Sequence, residues 1–266
     1  MSLQPSSHLK DTQNEPDHRQ IPIDRVGIKN LRFPMRLRDK TRSEQHSVAT
    51  VALTVDLPAA FKGTHMSRFI EAIHAEGTEL HAEQIHSLLR SLASRLHSEC
   101  AHARFTFPFF RQKLAPVSGK SGLLDYDVTF DATLKKGHFD LVTTLVVPVA
   151  TLCPCSKAIS DRGAHNQRGH VTFAVRSDLP IWIEDLIDIV EKSASCELYS
   201  VLKRPDEKAV TERAYDNPVF VEDLVRNVAE QANLEQNILW YRVEAENFES
   251  IHNHNAYALI EKDKRS

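Results

Sequence analysis

Cysteine is scarce in this chain: four among 266 residues, Cys100, Cys153, Cys155 and Cys196. That number excludes a disulfide framework, and the Cys153-Pro154-Cys155 pair is too close for an unstrained mutual bridge. No C-x-x-C or zinc-finger frame is present either. Folding must therefore rest on an apolar core, which a chain of this length can bury without staples. Long hydrophobic runs are missing too. Nothing approaches the ~20 apolar residues of a membrane span, and residues 1–20 hold almost no apolar side chains, so no signal-peptide core is read there. The expectation is a cytoplasmic, reduced protein with a polar, mobile arm over residues 1–22. An excess of charge is lacking as well: the net charge is −3, with 41% apolar and 26% charged residues. That balance argues against a general nucleic-acid binder, as the missing apolar span argues against a membrane partner, and leaves any phosphate recognition to local features.

What is present is a periodic pattern. Val51, Leu53 and Val55 alternate as in a half-buried strand, and a weaker strand precedes them over Val26–Arg32. Helical spacing follows, first in Phe69, Ile70 and Ile73, then in Ile85, Leu88, Leu89, Leu92 and Leu96. Phe105, Phe107 and Phe109 alternate next. Leu124, Tyr126, Val128 and Phe130 are interleaved with Asp125, Asp127, Thr129 and Asp131, which marks a strand with one wet face. The order then repeats. Leu141–Val149 and Val171–Val175 read as strands, and Trp182–Lys203 reads as one helix stopped by Pro205. A further helix begins after Asn217-Pro218 with Val221, Leu224, Val225 and Val228 inward, and strands over Leu239–Ala245 and Ala256–Ile260 close the chain. The pattern predicts an α+β protein of two tandem ββααββ-like modules, residues 23–135 and 136–266, the second carrying most of the reactive side chains. Antiparallel four-stranded sheets with helices on one face leave open edges, which predicts assembly into an oligomeric ring or barrel.

Reactive side chains are densest from Cys153 to Arg168, between two strand-like segments. Thiolate and imidazole suit zinc and similar ions, and a loop can bring Cys153 or Cys155 to His165. A second cluster, Glu249 followed by His252-Asn253-His254, puts two imidazoles on one face if it is extended, and histidine suits proton transfer near neutral pH. Glu207, just past Pro205, and Glu222, early in a helix, are uninformative alone, since the helix dipole accounts for Glu222. The run Lys62-Gly63-Thr64-His65-Met66-Ser67-Arg68 has one glycine and lacks the Walker spacing. It remains a basic turn leading into a helix, where backbone N–H groups can meet an anion. Cys100 and Cys196 are assigned to packing within helical patterns.

Taken together, these segments resemble the type IB GTP cyclohydrolase family. Residues 152–168 (Leu152-Cys-Pro-Cys-Ser-Lys through His165-Asn-Gln-Arg168) are similar to the family's signature loop, and Gly63–Phe69, Leu202–Glu207, Asn217–Glu222 and Glu249–His254 match further motifs. The resemblance spans roughly residues 20–262. It implies the tunnelling fold (T-fold) and a homotetramer with active sites at subunit interfaces. It also implies conversion of GTP and water to 7,8-dihydroneopterin triphosphate and formate, the entry step to tetrahydrofolate. A divalent metal is implied, zinc or manganese with ferrous iron as a further option, held by Cys153, His165 and Glu207. Cys153, Cys155, His252 and His254 are then the catalytic candidates, with the split between ligand and acid among the cysteines left open. Glu222 would anchor guanine. Lys62, Arg68, Lys157, Lys203 and Arg204 are candidates for the triphosphate. Two alternatives stand beside this reading: a nitrile reductase of deazaguanine metabolism, which would need a nicotinamide cofactor, and a non-enzymatic metal-binding oligomer.

Overall fold

The computed structural model describes residue 13 and residues 15–265, so most of the expected N-terminal arm lies outside the described residues. Two long strands open the fold, β1 (Ile23–Asp39) and β2 (Ser43–Leu57), followed by α1 (Ser67–Glu76), the two-residue β3 (Glu79–Leu80) and α2 (Ala82–Leu96). Strands β4 (Cys100–Leu114), β5 (Ser121–Lys135) and β6 (His138–Leu152) form a meander, and a short α3 (Pro154–Ile159) precedes β7 (Asn166–Ser177). The remainder is α4 (Ile183–Ser193), β8 (Cys196–Glu197), α5 (Arg204–Asp216), α6 (Val221–Leu234), β9 (Ile238–Asn247) and β10 (Ala256–Asp263).

The tandem-module expectation for the tunnelling fold is corrected here. There are not two four-stranded sheets but one ten-stranded sheet in the order β10-β9-β7-β6-β5-β4-β2-β1-β3, with β8 paired to β6. The halves are fused because β5 and β6 pair from Asp127↔Val146 to Lys135↔His138, through a tight turn in which Lys136 (φ 49°) and Gly137 (φ 83°) are both left-handed. Such a turn matches strand twist and keeps the ladder continuous across the expected break. The second half also departs from ββααββ: α3, β8 and α5 are additional. The single helix expected over Trp182–Lys203 stops at Ser193, and Pro205 does not end a helix but sits in the first turn of α5. A proline's missing N–H costs nothing at that position.

Register explains the core. Phe107, Val128, Leu145, Phe173 and Val243 are cross-strand partners in one continuous row, and each is buried on the face that α2, α4 and α6 cover. Alternate positions such as Asp125, Asp127 and Glu246 face away and are exposed. Gly27 permits the β1–β2 approach, because a Cβ there would lie 2.1 Å from the Leu53 carbonyl oxygen. Cys100 and Cys196, expected in helical segments, lie in β4 and β8. Cys196 is buried, while the half-buried Cys100 places its Sγ 3.1 Å from His102 Nε2. Among the described residues, no helix is long and apolar enough to cross a membrane.

Candidate active site

The inward face of the sheet turns polar at one end. Along β7 the inward positions read Val175, Phe173 and Val171, then Gly169 and Gln167, and the opposing β6 positions change from Val147 and Val149 to Thr151. Beyond the last rungs the chain leaves the ladder at Leu152, which is fixed from two sides: its N–H donates to the Ser195 hydroxyl (3.0 Å), and its carbonyl accepts from Val219 N–H (3.1 Å). Cys153 and His165 then close the loop between them, with the Cys153 N–H donating to the His165 carbonyl at 3.1 Å.

Cys153 caps α3. Its Sγ accepts weakly from Ser156 N–H (3.4 Å), its carbonyl accepts the Ser156 hydroxyl (3.1 Å), and Pro154 occupies the first turn. The Ser156 hydroxyl oxygen also takes the His165 N–H at 3.2 Å, so one side chain ties both ends of the loop. His165 is half-buried. Its Nδ1 faces Gln167 Oε1 at 3.0 Å, Ser250 Oγ at 3.5 Å and Glu249 Oε2 at 4.0 Å, which leaves Nε2 as the ring nitrogen available to an ion. All four cysteines are free, and Cys155 is exposed in the first turn of α3. Lys157 donates to the Tyr215 carbonyl and sits 4.3 Å over the Tyr215 ring, so it is committed to packing α3 on α5.

The other candidates are distributed over separate elements. Glu207 is exposed in the first turn of α5, and Glu222 is exposed in the first turn of α6. His252 and His254 stack with ring centroids 5.1 Å apart in the exposed β9–β10 connection, so they do share a face, although the segment is bent and not extended. Lys62 pairs with Glu15 (2.8 Å) and Arg68 donates to the Arg95 carbonyl (2.9 Å). Lys203 and Arg204 lie at the start of α5. No hydrogen bond or ion pair among the described residues joins the 62–68 turn to the Cys153–His165 loop. Cys153 and His165 supply the thiolate and imidazole that a borderline divalent ion prefers, and that pair fits. Glu207 does not join it within this chain: among the described residues, no three His, Cys, Asp or Glu side chains are gathered closely enough to hold an ion.

Two buried polar clusters that sequence reasoning missed hold the surrounding helices. Asp206, fully buried, accepts from the N–H groups of Val117, Ser118 and Lys203 (each 2.8 Å) and from the Ser118 hydroxyl (2.6 Å). Burial pushes its pKa up, but the Ser118 hydroxyl and then the backbone N–H groups outweigh it and hold the carboxyl well below the usual range. The start of α5, with Lys203, Arg204 and Glu207, is thereby pinned to the β4–β5 turn. Only half of a capping box is present: Asp206 at the third helical position accepts the Lys203 N–H, while the Lys203 ammonium cannot accept in return, so the spacing carried no clear signal. In the second cluster Lys113 Nζ lies 2.8 Å from Glu191 and 3.0 Å from Glu197; Tyr126 donates to Glu191 at 2.7 Å, and Arg213 reaches Glu197 at 3.1 Å. Burial raises the Glu191 pKa, while at Glu197 the Tyr199 hydroxyl and Lys113 overcome burial and lower it. This cluster joins β4, α4, β8 and α5.

The family described as type I GTP cyclohydrolase FolE2 matches residues 9–258. The chain is 58% identical to GTP cyclohydrolase FolE2 of Methylobacillus flagellatus over 257 residues, covering 97% of each protein. It is 59% identical to the Akkermansia muciniphila protein of the same name over 261 residues, covering 97% of this chain and 99% of that one. Among solved structures it resembles uricase from Arthrobacter globiformis (TM-score 0.53, 10% identity, 90% of this chain and 92% of the other). It also resembles urate oxidase from Bacillus subtilis (TM-score 0.53, 6% identity, 91% and 99%). At such low identity these two likenesses concern the fold alone.

Proposed function

The chain belongs to the type I GTP cyclohydrolase FolE2 family, and from that premise we propose that it hydrolyses GTP to 7,8-dihydroneopterin triphosphate and formate, the first step of tetrahydrofolate biosynthesis. The observation that carries the reading is near-full-length identity to FolE2 proteins in a chain whose Cys153 and His165 close one loop at the polar end of the sheet.

In this reading Cys153 and His165, with Glu207 as the carboxylate, hold a zinc or manganese ion, with ferrous iron the third option. When bound, such an ion supplies Lewis acidity that brings water's pKa from ~15.7 toward ~7, so that a nucleophile for guanine C8 exists at neutral pH. Cys155, His252 and His254 are the groups that deliver and accept protons at N7 and at the opening ring, and exposed imidazoles suit that exchange. Glu222 orients the base: its carboxylate accepts the N1–H and 2-amino donors of guanine as a bidentate pair. Adenine lacks that donor pair and would leave the carboxylate unmatched, a discrimination of ~10⁴. Lys62, Arg68, Lys203 and Arg204 take the triphosphate. Among the described residues, no hydrogen bond joins Lys62 or Arg68 to the second half of the chain, and Glu207 is not gathered with Cys153 and His165. Both facts support a homotetramer whose active sites are completed between subunits. Free thiols at Cys153 and Cys155 support a cytoplasmic location, where they stay reduced.

The test is incubation of the purified protein with GTP and manganese, followed by pterin absorbance and formate. Cys153→Ala and His165→Ala should each lower metal content together with activity. Glu222→Ala should weaken GTP binding with metal retained. Metal occupancy in His165→Ala equal to that of the parent would remove the ligand assignment.

A further inference from the structure

Between Thr151 and His165 the structure contains a relay of side chains that reaches the loop from inside the protein. Thr151 on β6 and Gln167 on β7 are direct cross-strand partners, the last inward-facing rung before the chain turns out to Cys153 and back from His165. Because side chains repeat every two residues along a strand, Thr151 and Cys153 continue one line and His165 and Gln167 the other. Thr151 is fully buried, and its hydroxyl must find a partner there. Gln167 Nε2 donates to it at 3.1 Å, which turns Oε1 the other way, to 3.0 Å from His165 Nδ1. Ser250 Oγ at 3.5 Å and Glu249 Oε2 at 4.0 Å approach the same nitrogen from farther away.

We propose that Gln167, oriented by Thr151, is a positioning residue that fixes His165 as the Nδ1–H tautomer and aims its Nε2 lone pair out of the loop as the ligating nitrogen. The inference rests on the reading of His165 as a metal ligand and adds which buried groups make it one. A neutral imidazole has one donor and one acceptor nitrogen. An amide oxygen at hydrogen-bond distance from Nδ1 assigns the proton there and the lone pair to Nε2. Without that partner the ring can exchange tautomers and rotate, and both reduce the fraction ready to bind. Outer partners of ligating histidines typically contribute 10–100-fold in metal affinity.

The experiment uses the full-length protein. Gln167→Leu keeps the side-chain bulk and removes the amide, whereas Gln167→Glu keeps an oxygen facing Nδ1. Zinc affinity is measured by chelator competition. In the metal-free protein, nitrogen-15 spectra report the tautomer, with the His165 signals identified by their loss in His165→Ala. The expected result is a 10–100-fold weaker zinc Kd and a mixed tautomer in Gln167→Leu, a Kd near the parent's in Gln167→Glu, and a shift toward the mixed tautomer in Thr151→Val. An Nδ1–H signature and a zinc Kd in Gln167→Leu equal to the parent's would overturn the proposal. The tautomer is read without metal, so its outcome is separate from that of the ligand assignment: unchanged zinc affinity in His165→Ala refutes the ligand assignment and with it the ligating role of Nε2, while loss of the Nδ1–H tautomer in Gln167→Leu would still establish the positioning.

Discussion

Replacing Lys113 by methionine tests the most heavily charged part of the interior. Methionine keeps the stem's packing and removes only the ammonium. The consequence falls mainly on Glu191, whose side chain is 3% exposed: it loses a 2.8 Å partner and keeps the Tyr126 hydroxyl, with the Arg111 guanidinium at 3.8 Å. Glu197 is 28% exposed and retains Tyr199 and Arg213, so it contributes less. Breaking a buried pair by removing one partner costs about 3–5 kcal/mol. At about 2.1 cal/mol/K per residue, 266 residues give an unfolding entropy of about 0.56 kcal/mol/K, so the melting temperature should fall by about 5–9 °C. The loss has a definite pH sign. Burial already raises the folded-state pKa of Glu191, and Lys113 opposes that rise. Without the lysine the folded carboxyl binds its proton more tightly still than in the unfolded chain, so stability declines as pH rises from the unfolded pKa toward the folded one. Calorimetry at pH 5.5 and pH 8 should therefore show the larger deficit at pH 8. Glu191→Gln added to Lys113→Met should recover much of it by removing the stranded charge. A melting temperature within a degree of the parent's at both pH values would refute the reasoning.

Two further perturbations follow from the packing around the loop. A Cβ on Gly169 would lie 2.5 Å from Asn247 Oδ1, and Asn247 is only 2% exposed, so Gly169→Ala should cost about 1–3 kcal/mol, or about 2–5 °C in melting temperature. Asn247→Ala in the same chain should relieve the clash, and a double-mutant cycle with no coupling between the two would count against it. The depressed pKa of Asp206 predicts acid sensitivity: its contribution is complete above the ordinary carboxylate pKa of about 3.9 and is lost as pH falls through the lower folded value. Asp206→Asn should lower the urea midpoint at pH 7 and flatten its decline below about pH 4; an unchanged acid limb would mean that the four hydrogen bonds of Asp206 do not stabilise its ionised form.

Strands were legible because one wet face writes a two-residue period into the chain, as Tyr126, Val128 and the intervening aspartates do. What that period does not carry is which strands meet. The fusion of the halves depends on a turn at Lys136–Gly137 and on hydrogen bonds between residues whose patterns would look the same in two separate sheets. Pro205 misled for a related reason: proline ends one helix and begins another with the same local chemistry, and only the bonds from Asp206 decide which. At the site, the reactive residues of the β6–β7 loop stood out by type. The groups that hold them, Ser195, Val219, Thr151 and Gln167, are ordinary polar or apolar residues whose role comes from neighbours up to 67 positions away, as for Leu152 and Val219.

The same two-residue period that builds the core also delivers the site. A strand that buries every second side chain must end, and where it ends the inward line still points at the space beneath the helices. In β6 and β7 that line passes from valine and phenylalanine to Gly169, Thr151 and Gln167, and its next positions on either side of the turn are Cys153 and His165. Reactive groups placed in this way inherit their direction from a ladder fixed over ten rungs, from Thr143↔Val175 to Leu152↔Asn166, and need little rigidity in the loop itself. Glu207 and Glu222 have no such ladder behind them; each hangs from the first turn of a helix, and Asp206 is the anchor that stops α5 from drifting. Changes to Asp206 should therefore alter how the carboxylate is presented while leaving the Cys153–His165 pair in place, whereas changes to Gln167 should do the reverse.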